Sequence, residues 1–254
     1  MLITENLRVS YGTFEILKGI SFTLKKGSLL MVIGPNGAGK STMLNAISQN
    51  ILYSGNISYC GENLKQLKPK QRARITGLLS QNHNVGYSFS VEEVVRMGRY
   101  AYSTGLFTQN GQDMKSIKQV LEITGMTELK DKSVLTLSGG ELQRTFLAQL
   151  IAQDPEVMLL DEPANHLDIM YQKQVFELIK KWVKETGKTA IGVVHDLSLA
   201  KKYGTHALLM DNGEIAAYGG VQEVLTRDNL KKTYGIDVYE WMNDMLGQWR
   251  QSNA

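Results

Sequence analysis

The segment Gly34-Pro35-Asn36-Gly37-Ala38-Gly39-Lys40-Ser41-Thr42 constrains this chain more than any other, because it fits G-x-x-x-x-G-K-[ST]. It also stands in the required context, after the apolar run Leu29-Leu30-Met31-Val32-Ile33 and at the opening of a helical pattern. Glycines let a backbone wrap close to an oligophosphate, so that successive N–H groups point at its oxygens. The helix opening near Lys40 adds the positive end of its dipole, and Lys40 adds a full charge for the β- and γ-phosphates. Ser41 offers a hydroxyl to Mg²⁺. The segment predicts a nucleotide site.

The rest of the chain agrees with a strand–loop–helix architecture. Strand-like runs occur at Leu7 to Tyr11, Ile16 to Leu24, Leu29 to Ile33, Ile75 to Ser80, Val157 to Leu160, Thr189 to Val194 and Ala207 to Met210. The run before Asp161 is apolar on both parities, as expected of a strand covered on both faces. Val175, Leu178, Ile179, Trp182 and Val183 then mark a helix that ends before Gly187. Alternating strands and helices predict an α/β layered domain with a largely parallel sheet. Residues 84–135 carry helical patterns (Val91 to Met97; Ile117, Val120, Leu121) without a convincing strand, and read as an inserted helical lobe. Asp211-Asn212-Gly213-Glu214 reads as a tight hairpin turn.

Composition excludes several other classes. The chain has 254 residues, 43% hydrophobic and 21% charged, enough apolar material for a core. Its net charge of +3 is too small to argue for nucleic acid as a partner. The basic run Lys70-Gln71-Arg72-Ala73-Arg74 reads as a solvated helix face. No apolar run approaches the roughly 20 residues of a membrane span, and the start Met1-Leu2-Ile3-Thr4-Glu5 does not resemble a secretion signal. Cys60 is the single cysteine, so neither an intramolecular disulfide nor a multi-cysteine metal site is possible. His166 has no second His or Cys at ligand spacing and does not read as a metal ligand. These features predict a soluble, intracellular, globular protein.

Two further segments carry chemistry. The strand Val157 to Leu160 ends in Asp161 and Glu162, a pair that can hold Mg²⁺ and polarise an attacking water, or cap the following turn. Beside a phosphate loop, the first reading is favoured. Leu137-Ser138-Gly139-Gly140-Glu141-Leu142-Gln143 precedes a helix with Leu142, Phe146 and Leu150 on one stripe. A Ser-Gly-Gly turn at a helix N-terminus is an anion-binding device. Ser138 and Glu141 also read as an ordinary capping box, and both readings use the same N–H groups.

With these motifs in this order, the chain resembles the ATP-binding cassette (ABC) family, the ATPase subunits of ABC transporters, from Tyr11 to about Gly219. The resemblance implies a P-loop NTPase core, an antiparallel β subdomain and a helical lobe within residues 1–234, with 235–254 an extension of no assigned role. It implies that Tyr11 stacks on adenine and that the loop from Gly34 through Thr42 binds ATP with Mg²⁺. It implies that Gln81 senses Mg²⁺ and the attacking water, that His195 contacts the γ-phosphate, and that Asp168 belongs to the nucleotide site. Ser138, Gly139 and Gly140 are implied to complete the γ-phosphate cage of a second copy, in a head-to-tail homodimer that sandwiches ATP.

Two departures stand out. Glu141 occupies a position where glutamine is commonest, and the loop after Glu162 reads Pro163-Ala164-Asn165-His166-Leu167-Asp168. The Asn-His-Leu-Asp form, with Ser90 to Tyr100, resembles the ATPases of importers for metal chelates: iron siderophores, haem or cobalamin. That resemblance implies integral-membrane permease subunits docking near Ser90 to Tyr100 and Lys70 to Arg74, a substrate-binding protein acting indirectly, and a place at the cytoplasmic face of the membrane. The alternative is a soluble cassette ATPase tied to no permease, such as one assisting iron–sulfur cluster assembly. Trp241 and Leu246 are candidates to pack back on the cassette or on a partner.

Overall fold

The chain opens with a hairpin of long strands, β1 (Leu2–Tyr11) and β2 (Phe14–Leu24), followed by β3 (Leu29–Ile33) and the helix α1 (Lys40–Ile47). Next come β4 (Ser54–Tyr59), β5 (Glu62–Asn63), α2 (Pro69–Ile75), β6 (Thr76–Leu79), α3 (Val91–Met97), α4 (Gly111–Ile123) and α5 (Gly139–Gln153). The core then alternates through β7 (Val157–Asp161), α6 (Ile169–Thr186), β8 (Thr189–Val193), α7 (Leu197–Tyr203), β9 (His206–Asp211) and β10 (Glu214–Gly220). The helices α8 (Val221–Val224), α9 (Arg227–Tyr234) and α10 (Val238–Gln251) close the chain. This computed structural model describes residues 1–81, 86–102, 111–165 and 167–251. The expectations for His166 and for residues 84, 85 and 103–110 of the lobe lie outside them.

Two sheets form. One runs β10-β9-β3-β8-β7-β6 and is parallel except for β10; the other is antiparallel and runs β2-β1-β4-β5. Because successive strand residues point to opposite faces, β3 divides its side chains between two cores. Leu29, Met31 and Ile33 join the core made with α3, α5 and α6, whereas Leu30 and Val32 join the core between the sheets. The helix α1 sits within this second core, with Met43, Leu44, Ala46 and Ile47 all buried. That position leaves the N-terminus of α1, and the loop before it, at the edge where the parallel strands end.

Expectation and structure agree on β3 to the residue and on β7, β8 and β9 to within one. The α6 stripe is buried at Val175, Ile179, Trp182 and Val183, and Gly187 closes it with φ of 67°. Asn212 and Gly213 make the predicted two-residue hairpin, both with positive φ. The α5 stripe faces the core, with Leu150 buried and Leu142 and Phe146 part-buried against it, and the helix also buries Leu147, Ala148 and Ile151. Both the sheet and the lobe press on α5, so a wider face than the i, i+4 stripe is covered. The strands β4 and β5 escaped the sequence reading, since Ser54-Gly55-Asn56 begins too polar to read as a strand. Trp241 and Leu246 do not pack back on the cassette of their own chain; they stay 57% and 55% exposed while Val238, Tyr239 and Met242 hold α10 to the core. Among the described residues no helix is long and apolar enough to cross a membrane.

The two-core arrangement predicts unequal costs along the apolar sequence. Leu159 is fully buried between the sheets, so Leu159→Ala is expected to cost about 2–5 kcal/mol, as large-to-small core changes do. Leu178 is only partly buried on α6, and Leu178→Ala should cost less. Urea unfolding followed by tryptophan fluorescence gives the comparison.

Candidate active site

Four parallel strands end at one edge, and each delivers a predicted residue to it. The end of β3 leads into Gly34–Thr42, that of β6 to Gln81, that of β7 to Asp161 and Glu162, and that of β8 to His195. A cleft of about 640 Å³ opens there, lined by Asn36, Gly37, Gly39, Lys40, Ser41 and Thr42 on one side and Gln81, Glu162, Asn165 and His195 on the other. Ile16 of β2 completes the lining.

The glycines at the two ends of the loop are required by space as well as by conformation. Gly34 has φ of 144°, and a Cβ there would lie 2.1 Å from the Met210 carbonyl oxygen of β9. Gly39 has φ of 94°, and its Cβ would meet Leu17 Cδ2 at 2.7 Å. The loop is thus wedged between β9 and β2, which curls its backbone toward the cleft.

Lys40 is 6% exposed, and its Nζ donates to the carbonyl oxygens of Gly34 and Pro35, each at 2.8 Å. An ammonium has three donors, so one is left for a ligand in the cleft. Burial pulls this ammonium below the ordinary lysine range, while the charges of Glu162 and Asp161 work against that shift. Ser41 Oγ donates to Asp161 Oδ1 at 2.8 Å. Asp161 is also buried, and burial pushes its carboxyl up, opposed chiefly by the Ser41 hydrogen bond. These two oxygens suit a hard cation that keeps part of its water shell, because Mg²⁺ is commonly bound by one or two protein oxygens with phosphates and water. Among the described residues no group of three or more His, Cys, Asp or Glu could hold a metal unaided.

Glu162 occupies the left-handed region with φ of 53°, a conformation that costs a non-glycine residue about 1–3 kcal/mol. Its carboxylate gathers three neighbours. Gln81 Nε2 and Asn165 Nδ2 donate to Oε2 at 2.8 and 2.6 Å, and His195 Nε2 lies 2.6 Å from Oε1. A carboxylate offers about four lone-pair sites, so these contacts leave room for a water. Asn165 was not singled out in the sequence beyond its loop. Its only sequence signal is the position three residues after Glu162, where the turn Asn165 N–H to Glu162 O at 3.1 Å brings it back.

Several other expected residues do not line this cleft. Its described lining does not include Tyr11, Ser138, Gly139, Gly140 or Asp168. Tyr11 ends β1 at 58% exposure. Ser138 caps α5: its Oγ accepts from Glu141 N–H at 3.4 Å and its backbone N–H donates to Glu141 Oε2 at 2.8 Å, the capping box read from the sequence. Asp168 caps α6, its Oδ1 accepting from Tyr171 N–H at 2.9 Å. Gln81 is tied to Glu162 rather than to the Ser41–Asp161 pair.

Comparison with known proteins places this geometry. The family model "ABC transporter" matches residues 17–165. The uncharacterized ABC transporter ATP-binding protein YvrA of Bacillus subtilis (strain 168) is 38% identical over 236 residues, 92% of this chain and 53% of its own length. The chain therefore spans about half the length of that relative. The ferric enterobactin transport ATP-binding protein FepC of Escherichia coli (strain K12) is 36% identical over 234 residues, 91% of this chain and 86% of its own. Among solved structures, a metal-chelate type ABC transporter in an inward-facing conformation matches with a TM-score of 0.80 at 26% identity, covering 93% of this chain and 89% of that one. The dimeric bacterial ABC transporter cassette MJ0796 matches with a TM-score of 0.78 at 26% identity, covering 87% and 99%.

The wedged loop yields a direct test. Gly34→Ala forces a backbone clash with Met210 and should weaken Mg-ATP binding at least tenfold by calorimetry. Gly37→Ala meets no atom within 4 Å despite its φ of 81°, and should cost distinctly less.

Proposed function

The chain belongs to the ABC transporter family, and from that premise we propose that it is the ATP-hydrolysing subunit of an importer for a metal chelate of the iron-siderophore, haem or cobalamin class. The observation that carries the hydrolytic reading is Glu162, held by Gln81, Asn165 and His195 at the mouth of the phosphate loop. The metal-chelate reading is supported by FepC, a ferric enterobactin transport protein, and by the metal-chelate type transporter of similar fold.

In this reading the loop N–H groups and Lys40 bind the phosphates of ATP, and Glu162 takes the proton of the water that attacks the γ-phosphorus as the bond to ADP breaks. Gln81, Asn165 and His195 aim the Glu162 carboxylate, and His195 also approaches the γ-phosphate. Ser41 and Asp161 hold Mg²⁺, which when bound supplies neutralisation of the β- and γ-phosphate charge. Tyr11 stacks on adenine from the end of β1. Ser138, Gly139 and Gly140 do not line their own chain's cleft, which supports their serving the ATP of a second copy in a head-to-tail homodimer, and Asp168 belongs to the nucleotide site. Permease subunits dock on the lobe near Ser90 to Tyr100 and hold the cassette at the cytoplasmic face of the membrane, and a substrate-binding protein delivers the cargo.

Glu162→Gln should keep ATP affinity, since the amide preserves shape, and lose at least a hundredfold in turnover, matching the 10²–10⁴-fold worth of a positioned base. With ATP this variant should accumulate a dimer measurable by light scattering. Near-normal turnover would remove Glu162 from the mechanism. The cassette pairing is tested by mixing Ser138→Arg chains with Lys40→Ala chains. Each is expected to be inactive alone, and the mixture should regain part of the ATPase activity through one intact composite site. A nucleotide-bound Glu162→Gln dimer in which Ser138 lies beside its own chain's Lys40 would overturn the head-to-tail arrangement. For cargo, cells lacking this chain should lose uptake of one of the three chelate types; normal uptake of all three would reject the metal-chelate reading.

A further inference from the structure

Glu162 keeps a strained backbone only if its surroundings over-determine it. On its N-terminal side the restraint is plain, because Asp161 is registered against Val193 in the parallel sheet. On its C-terminal side the chain leaves the sheet at once; Asn165 N–H closes a turn on the Glu162 carbonyl oxygen at 3.1 Å, and the turn itself needs an anchor. It comes from α5: Gln143 Nε2 donates to the carbonyl oxygen of Pro163, the residue directly after Glu162, at 3.2 Å in a partly buried setting. The same loop meets the start of α5 again, where a Cβ on Gly140 would lie 3.4 Å from Leu167 Cδ2. Ala164, between these contacts, is buried. Pro163, Ala164, Asn165 and Leu167 are therefore clasped between the Glu162 carboxylate and the first turns of the helix that Ser138 caps.

We infer that Gln143 is a positioning residue for hydrolysis, holding Glu162 in line by clamping the Pro163 carbonyl to the Ser138 helix. Gln143 does not line its own chain's cleft, and its amide nitrogen is directed to the Pro163 carbonyl oxygen, so within one chain it bears on Glu162 through the backbone. The clamp also gives the Ser138 turn a short mechanical route to Glu162. Displacement of the α5 N-terminus is passed by one side-chain hydrogen bond to the backbone beside Glu162. This inference rests on the reading of Glu162 as the group that takes the proton of the attacking water.

Two variants test it in the full chain: Gln143→Glu, which keeps the shape and loses the donor, and Gln143→Met, which keeps the length and loses all polarity. Each should leave ATP affinity within about twofold while lowering kcat on the order of ten- to a hundredfold, as small misplacements of a reacting group do. If the Met variant does not fold, the Glu variant carries the test. The decisive measurement is single-turnover hydrolysis in the Glu162→Gln background. There the Gln143 changes should cause no further loss, because residues acting as a unit are non-additive. A loss that multiplies with that of Glu162→Gln, an ATP affinity that falls in step with kcat, or undiminished turnover in both variants would overturn the clamp. Normal turnover in Glu162→Gln alone would instead remove the Glu162 reading itself, so the two failures are distinguishable.

Discussion

The parallel register of β3, β8, β7 and β6 is the constraint on which the remaining structure depends. Parallel strands in a crossover-connected sheet point their C-terminal ends the same way, so the loops that follow them converge along one edge. Here that geometry places the phosphate loop, Gln81, the Asp161–Glu162 pair and His195 together, although they are scattered from residue 34 to residue 195 of the sequence. A slip of one residue between β7 and β8 would turn Asp161 and its neighbours to the wrong face. The full burial of both strands on both faces opposes such a slip.

The second dependence is electrostatic. Lys40 and Asp161 are both buried, each pushed by burial toward its neutral form, and each opposed by partners within the site. A charged group is tolerated there only with such compensation. The carbonyls of Gly34 and Pro35 take two of the three Lys40 donors, and the Ser41 hydroxyl donates to one oxygen of Asp161. The loop thus holds its own cation in place through the backbone it curls, which couples the shape of the glycine loop to the position of the charge.

The helix α5 links the two parts of the chain. Its N-terminal turns hold the loop after Glu162 through Gln143, and its C-terminal turns receive the lobe. There Arg99 donates to the Ala152 carbonyl at 3.0 Å, and Gly98 sits so close that a Cβ would lie 2.2 Å from the Gln149 carbonyl oxygen. The lobe therefore has a rigid route to the hydrolytic residues that does not pass through the sheet.

Much of this was legible in the linear sequence wherever the physics is local. The glycine spacing before Lys40, the apolar run of β3, the double-parity run of β7, the Ser138–Glu141 capping box and the Asn212-Gly213 turn each depend on neighbours a few residues away, and each is found in the structure. The roles implied for Tyr11, Ser138 and Asp168 came from family resemblance, and the geometry of one chain leaves those residues outside its own cleft. Tertiary structure alone decided the rest. Asn165 and Gln143 reach Glu162 and Pro163 with ordinary amide side chains whose partners the sequence does not name, and the width of the α5 buried face follows from what packs on it. The reason is physical: periodicity and turn chemistry report a residue's relation to its own backbone, whereas a hydrogen bond across the fold exists only after two distant elements have been brought together.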